Sequence, residues 1–385
     1  MFLTYMAEHE GWQWWRERRL PAEYLHLDTA AAGRSSVATL RATAAHAERE
    51  AVVGGYVAQR EADPVLATGR AALGSLLGVR ADGLAFVENA TAALAALLAA
   101  WPLSAGDVVA VVPSEWGPNL NAFRVRGLSI TEIAAHPDGV IDLADLERLL
   151  TSAPPAVVHL TQVVSHRPLV QPVAAAAALC RAAGVPLWVD AAQALGHVDT
   201  ACGADAVYAT SRKWLTGPRG VGLLGIAEPW WDALLTKASE LELTGWAADA
   251  SPVGLLESAE ANIAGRVGLC TAVAEFTEAG PAAVWQRLAS VGRATREAMS
   301  DLPGWEVVPP AADSGSATTG LRPVSGQDVT VTRARLLGEH GIVTTAAVTA
   351  RAPREMTEPY LRVSPHVDCT PDDLATLRKA LLALA

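Results

Sequence analysis

The sequence predicts an α/β fold: a mainly parallel sheet flanked by helices in a large domain, followed by a smaller α+β C-terminal domain. Three observations carry that expectation. From about residue 80 to 225, short apolar runs alternate with Ala- and Leu-rich stretches of helical spacing. Strands that read as near-continuous apolar runs belong to parallel sheets covered on both faces. After about residue 265 the alternation gives way to mixed segments. At 385 residues, 51% hydrophobic and 18% charged, the chain is a globular one with room for one large domain and a smaller one.

The elements follow in order. An N-terminal segment, 1–27, contains Trp12, Trp14 and Trp15, which are expected to pack a short helix against the C-terminal domain. Residues 28–264 form the large domain. Its strands are "VVAVVP" (108–113), "AVVHLT" (156–161), "PLWVDAA" (186–192), "AVYATS" (206–211) and "GVGLLGI" (220–226), and helices are expected over 90–101, 142–151 and 173–183. Residues 265–385 form the small domain: a long helical stretch over 266–300, the strand-like "WEVVPP", a helix near 331–340, "GIVTT", "YLRVSPH" and a last helix from 371. The Ser-, Gly-, Ala- and Thr-rich stretch 311–326 reads as a loop.

Composition narrows the function. A net charge of −11 provides no basic footprint for nucleic acid or an anionic membrane. Cys180, Cys202, Cys270 and Cys369 are far apart and form no CxxC pair, which argues against a zinc site and a disulfide framework. The first residues lack the basic-then-apolar order of a secretory signal, and the longest uncharged apolar run is interrupted by polar residues and a proline. The expectation is a soluble, cytoplasmic protein that binds no metal, no membrane and no nucleic acid.

Ligands in such a sheet bind beyond the carboxyl ends of the strands. There the sequence places "VENAT" before the helix at Ala90, "SEWGPN" after the strand 108–113, Asp190 and Gln193 in "VDAAQALG", and Lys213 in "TSRKWLTGPRG". A carboxylate and a lysine at neighbouring strand ends, beside a helix N-terminus, suit pyridoxal 5′-phosphate. The lysine would bind the cofactor, the carboxylate would keep its pyridine nitrogen protonated, and the helix start would take its phosphate.

These motifs, together with "YLHLDTAAAG" (24–33), "ESAEANIAG" and "YLRVSPH" (360–366), resemble in order the fold-type I pyridoxal-phosphate enzymes of the class V aminotransferase and cysteine desulfurase superfamily. The resemblance implies roles residue by residue. Lys213 would be the cofactor lysine, which also moves the substrate α-proton. Asp190 would be the pyridinium partner and Gln193 the donor to the phenolic oxygen. Trp116 would stack on the pyridine ring, and Ser165 falls near the residue that touches the phenolic oxygen. Ala90, Thr91, Thr210 and Arg212 would hold the phosphate. Arg362 would fork onto an amino-acid α-carboxylate. Ala31 would leave room for substrate, and Tyr56 would offer it an aromatic face. The superfamily's habit implies a homodimer with active sites near the subunit interface.

Two departures bear on the reaction. Desulfurases of the superfamily carry a nucleophilic cysteine shortly before the Arg362-type motif, whereas "GIVTTAAVTARAPREMTEPYLR" has none. Glu260 stands where relatives carry a phosphate-binding threonine, and is expected to face the neighbouring active site and attract a cationic substrate group. On the residues alone, β-elimination, transamination and racemisation all stay open. Within the superfamily the sequence most resembles the C–S lyases of ergothioneine biosynthesis. That resemblance implies β-elimination on a cysteine S-conjugate sulfoxide, hercynylcysteine sulfoxide, with ergothioneine formed through a sulfenic acid and pyruvate and ammonia released. The alternatives are a class V aminotransferase or amino-acid epimerase, a cysteine desulfurase, or a degenerate binding protein of the same fold.

Overall fold

The computed structural model describes residues 11–234, 251–258, 260–311 and 314–384. The first strand, β1 (Leu25–His26), is short. The next seven are β2 (Leu84–Val87), β3 (Val108–Val111), β4 (Ser129–Glu132), β5 (Val157–Thr161), β6 (Leu187–Asp190), β7 (Ala206–Thr210) and β8 (Gly222–Ile226). They form one sheet in the order β2-β8-β7-β6-β5-β3-β4, in which β8 alone runs against its neighbours.

Both faces of this sheet are covered, and the side chains show it by alternation. Val158, Leu160, Val189, Val207 and Leu223 point into one apolar core, while Val157, Trp188, Tyr208 and Leu224 point into the other. The helix Val173–Ala183 packs in the first core and Ala90–Ala100 in the second. The apolar runs are therefore strands with no wet side, as a sheet crossed by helices requires.

The helices stop where their ends dictate. Asp142 accepts from the N–H groups of Ala144 and Asp145 to start Leu143–Ser152, and Gly184 at φ 67° ends Val173–Ala183. The expected helical stretch 266–300 is instead two helices, Ile263–Ala279 and Pro281–Ala298. Gly280 adopts φ 80° and Pro281 takes the first helical position, so the Gly-Pro pair ends one helix and begins the other.

A second, antiparallel sheet comprises β9 (Trp305–Val307), β10 (Thr319–Pro323), β12 (Thr345–Ala347) and β13 (Tyr360–Val363), in the order β12-β13-β10-β9. The remaining strand, β11 (Ile342–Val343), pairs in parallel with β1. The expected loop 311–326 contains β10, which pairs on both sides. Its sequence, TGLRP, holds glycine and proline and has little intrinsic strand preference. Ladders from β9 and β13 make it a strand, which no local pattern announces. Among the described residues, no helix is long and apolar enough to cross a membrane, and no group of three His, Cys, Asp or Glu side chains could hold a metal ion.

Candidate active site

The parallel register brings the carboxyl ends of three central strands together: Thr161 lies opposite Asp190, and Asp190 opposite Tyr208 near the end of β7. Beyond these ends opens a cavity of about 890 Å³. Lys213, Asp190, Gln193, Trp116, Ser165, Thr210, Arg212, Arg362, Ala31, Ala90 and Thr91 all line it. Residues scattered over more than three hundred positions thus meet at one place in the sheet, where ligands of α/β proteins sit.

Lys213 follows β7 by three residues, in a turn closed by the Thr216 N–H donating to the Lys213 carbonyl at 3.0 Å. Thr216 holds φ 55°, a conformation rare outside glycine, and is gripped by Arg19 on its hydroxyl and by Ser35 on its carbonyl. The Gly33 N–H donates to the Arg212 carbonyl, so the N-terminal "TAAAG" stretch braces the lysine turn from behind. Burial, reinforced by the charges of Arg212, Arg362 and Arg351, pushes the Lys213 ammonium down to about 7 although Asp190 pulls the other way. An amine so placed is partly neutral at physiological pH and can act as nucleophile or base.

Trp214 locks this turn sideways. Its ring stacks on His197 at 3.8 Å and lies 6.2 Å from His366, which in turn stacks on Trp15 at 5.1 Å. The indole N–H donates to the Gln193 Oε1 at 2.9 Å, and Gln193 donates to the Ala30 carbonyl at 2.8 Å. One N–H of Gln193 remains for a ligand.

Asp190 is held from two sides. The Ala192 N–H donates to its Oδ1 at 2.8 Å and the Asn119 amide to its Oδ2 at 2.9 Å. Burial raises its pKa, opposed by Asn119 and by the Lys213 charge. Asn119 also donates to Glu115, which accepts from Thr161 and meets His159 at 2.8 Å, and His159 reaches the Tyr208 hydroxyl. Glu115 is fully buried, and burial alone would raise its pKa, yet these donors bring the net shift below the ordinary value. Of "SEWGPN", the sequence points only to Trp116. The structure shows Glu115 and Asn119 beneath it, four residues apart and both aimed at the strand ends. An acidic residue directly after a buried strand is the signal that could have found them.

The helix Ala90–Ala100 opens onto the cavity. Asn89 caps it by accepting from the Ala92 N–H at 2.9 Å, which leaves the amides of Ala90 and Thr91 and the Thr91 hydroxyl for an anion. Thr210 and Arg212 line the same cavity, as does Arg219, which no sequence signal singles out. Arg362 is fully buried, donating to the Ser165 carbonyl at 2.9 Å and to Asp28 at 2.8 Å. Three buried polar atoms at the cavity, Ser165 Oγ, Arg362 Nε and Arg351 Nε, have no hydrogen-bond partner. Buried donors are seldom left unpaired. A doubly anionic phosphate at one end, a carboxylate at the other and a protonated ring nitrogen against Asp190 would match this donor set, so the residues fit pyridoxal 5′-phosphate with an amino acid.

Two expected site residues stand outside the cavity. Tyr56, in the first turn of the helix Gly55–Leu77, is 81% exposed, and Glu260 is exposed as well. Neither lines this chain's own cavity. Arg351 is the converse case, a cavity residue that the small-residue run "TAAVTARAP" disguises.

A model of the family described as aminotransferase class-V matches residues 25–377. A probable hercynylcysteine sulfoxide lyase of Mycobacterium tuberculosis is 44% identical over 369 residues, covering 96% of this chain and 92% of that protein. An isopenicillin N epimerase of Amycolatopsis lactamdurans is 28% identical over 360 residues, covering 85% and 86%. Among solved structures, a cysteine desulfurase of Thermococcus onnurineus superposes with a TM-score of 0.81 at 19% identity, covering 94% of each chain.

Proposed function

The chain belongs to the aminotransferase class-V family, and from that membership we propose a pyridoxal-phosphate-dependent C–S lyase that cleaves a cysteine S-conjugate sulfoxide, hercynylcysteine sulfoxide. The observation that carries the reading is the 44% identity, over nearly the whole chain, to a protein named for that reaction. The cofactor is pyridoxal 5′-phosphate, which when bound supplies an electron sink that makes the substrate Cα–H acidic and the Cβ substituent a leaving group.

The chain's own groups take the remaining work. Ala90 and Thr91 amides, Thr210 and Arg212 hold the phosphate, and Asp190 keeps the ring nitrogen protonated. Arg362 receives the α-carboxylate. The Lys213 amine takes the α-proton, and the Cβ–S bond breaks with its electron pair on sulfur, as a sulfenate. The three-carbon fragment hydrolyses to pyruvate and ammonia. Two equivalents of an external thiol, which leave as their disulfide with one water, reduce the sulfenic acid to the thiol-imidazole betaine.

The cysteines support a lyase over a desulfurase. All four thiols are buried and all are pushed up by that burial, Cys180 to about 12 and Cys270 to about 11. None is poised as a thiolate. An epimerase needs a base on each face of the ring, and Trp116 on the cavity wall takes no proton. The reading includes a cytoplasmic homodimer in which Tyr56 and Glu260 reach the neighbouring cavity.

Pyruvate release from an S-(imidazolyl)cysteine sulfoxide, compared with plain cysteine, tests it. The wild type is expected to release pyruvate from the conjugate alone, and Lys213→Ala to lose about 10³-fold or more. Accumulation of the pyridoxamine form without pyruvate would instead establish an aminotransferase.

A further inference from the structure

The segment between β12 and β13 delivers to the cavity a cation to which none of the reaction steps above gives a task. Arg351 ends the turn Thr349–Arg351, and its guanidinium carbon lies 5.6 Å from the centre of the Trp116 ring. Its Nε is buried with no partner, and no carboxylate pairs with it among the described residues. Burial, and after it the charge of Arg362, lowers its pKa to about 10. Arginine stays ionised there, so a half-buried positive charge with no carboxylate paired to it faces the cavity.

Its neighbours say which end of the cavity it serves. Arg351 feels Arg362 and Asp28, whereas Arg212 feels Arg219, Arg362 and Asp28. Arg351 stands beside Trp116 on the turn that follows β12, whose Thr345 pairs with Arg362, and so lies toward the Arg362 side of the cavity. Asp28 is already bound to Arg362 at 2.8 Å and to the Thr345 hydroxyl at 2.6 Å. Two guanidiniums against one carboxylate leave one net positive charge at that end before substrate enters, and once Arg362 has received the α-carboxylate the Nε–H of Arg351 is still without an acceptor. Arg362 is the deeper and is pinned by Ser165, whereas Arg351 is half-buried, nearer the mouth. A substrate side chain leaving the α-carbon toward solvent would pass it.

The turn is built to hold Arg351 still. A Cβ on Gly117 would meet the Ala350 carbonyl oxygen at 2.1 Å, so the turn lies directly against the start of the helix Gly117–Val125. Ala352 and Met356 are buried beside Ala347, and Glu355 pairs with Arg167 and, at 3.1 Å, with His166. The segment where desulfurases of the superfamily carry their cysteine here carries a cation on a closely packed backbone.

We propose that Arg351 binds the oxygen on the substrate's side-chain sulfur and stabilises the sulfenate as the Cβ–S bond breaks, selecting an oxidised sulfur over a thioether. The inference rests on the lyase reading. The α-proton goes to Lys213, the bonding pair goes to sulfur, and the guanidinium N–H groups donate to the oxygen as its charge grows. Sulfur keeps its oxidation state, so the step needs no oxidant or reductant. Charge-assisted bonds aimed at a developing oxyanion in a water-poor site accelerate reactions more than most other single contacts do.

The test compares holoenzyme and its Arg351→Gln and Arg351→Lys variants on the imidazolyl sulfoxide and on β-chloroalanine, whose chloride needs no oxygen contact. Arg351→Gln is expected to lose about 10²- to 10³-fold in kcat/KM on the sulfoxide and to keep β-chloroalanine elimination within about threefold, with Arg351→Lys between. A second readout is binding: α-methyl analogues have no α-proton, and their dissociation constants follow from the cofactor's absorbance. The variant should weaken the sulfoxide analogue about tenfold and leave the thioether analogue unchanged, the size expected of one lost charge-assisted hydrogen bond. Equal losses on both substrates would place Arg351 on the α-carboxylate, and no loss on either would also overturn the proposal, in each case with the lyase reading intact. A wild type that eliminates chloride but releases no pyruvate from the sulfoxide would sink both.

Discussion

Lys213 has a cost that its chemistry explains. Its pKa falls from 10.5 to about 7, burial being the largest cause. Between those values the unfolded chain binds a proton that the folded one has lost, so stability rises with pH across that window. The penalty is full below about pH 7 and gone above 10.5, and corresponds to roughly 5 kcal/mol at about 1.4 kcal/mol per unit. In urea titrations of the cofactor-free protein, Lys213→Met should therefore be more stable than wild type at pH 7, with the gap closing toward pH 10. A gap that stays constant with pH would mean the ammonium is solvated after all. Glu115 shows the opposite solution to the same problem, a buried carboxylate kept ionised by Asn119, Thr161 and His159.

At the level of elements, the contact between two turns matters more than either alone. Gly117 lets the 349–353 segment close on the helix below it, so Gly117→Ala should push that segment outward. The expected cost is about 1–3 kcal/mol, with weaker binding of the sulfoxide analogue and an unchanged cofactor spectrum, read by thermal melts and absorbance titration. Elements whose local pattern agrees with their final pairing are legible in the sequence. The strands at 108–113, 156–161, 186–192, 206–211 and 220–226 and the helix at 173–183 all stand within a few residues of where their apolar runs put them. β10 is invisible because its partners, not its residues, make it a strand, and the Gly280–Pro281 break hides inside a strong helical period. Most of the cavity's lining is legible from motifs at strand ends. Glu115, Asn119 and Arg351 are not, since nothing in a single sequence shows that a residue at 119 will touch one at 190.

For the whole molecule, the two long helices Val37–Val53 and Gly55–Leu77 expose Leu40, Val52, Tyr56, Val57 and Val65, with Val52 at 76%. These exposed apolar side chains on neighbouring helices are candidates for the face that the proposed homodimer would cover. Sedimentation is expected to give a dimer, and a Val52→Glu, Tyr56→Glu double variant to shift it toward monomer with a loss of activity. A monomeric and fully active variant would remove Tyr56 and Glu260 from any shared site. The ring column from Trp15 through His366 and Trp214 to His197 has a consequence for how the enzyme can be watched. It fixes one indole immediately beside Lys213 and holds it in a dry, unchanging setting. Emission from Trp214 then passes by resonance to whatever chromophore the lysine carries, so the protein's own ultraviolet fluorescence should dim as the cofactor enters and recover as it leaves.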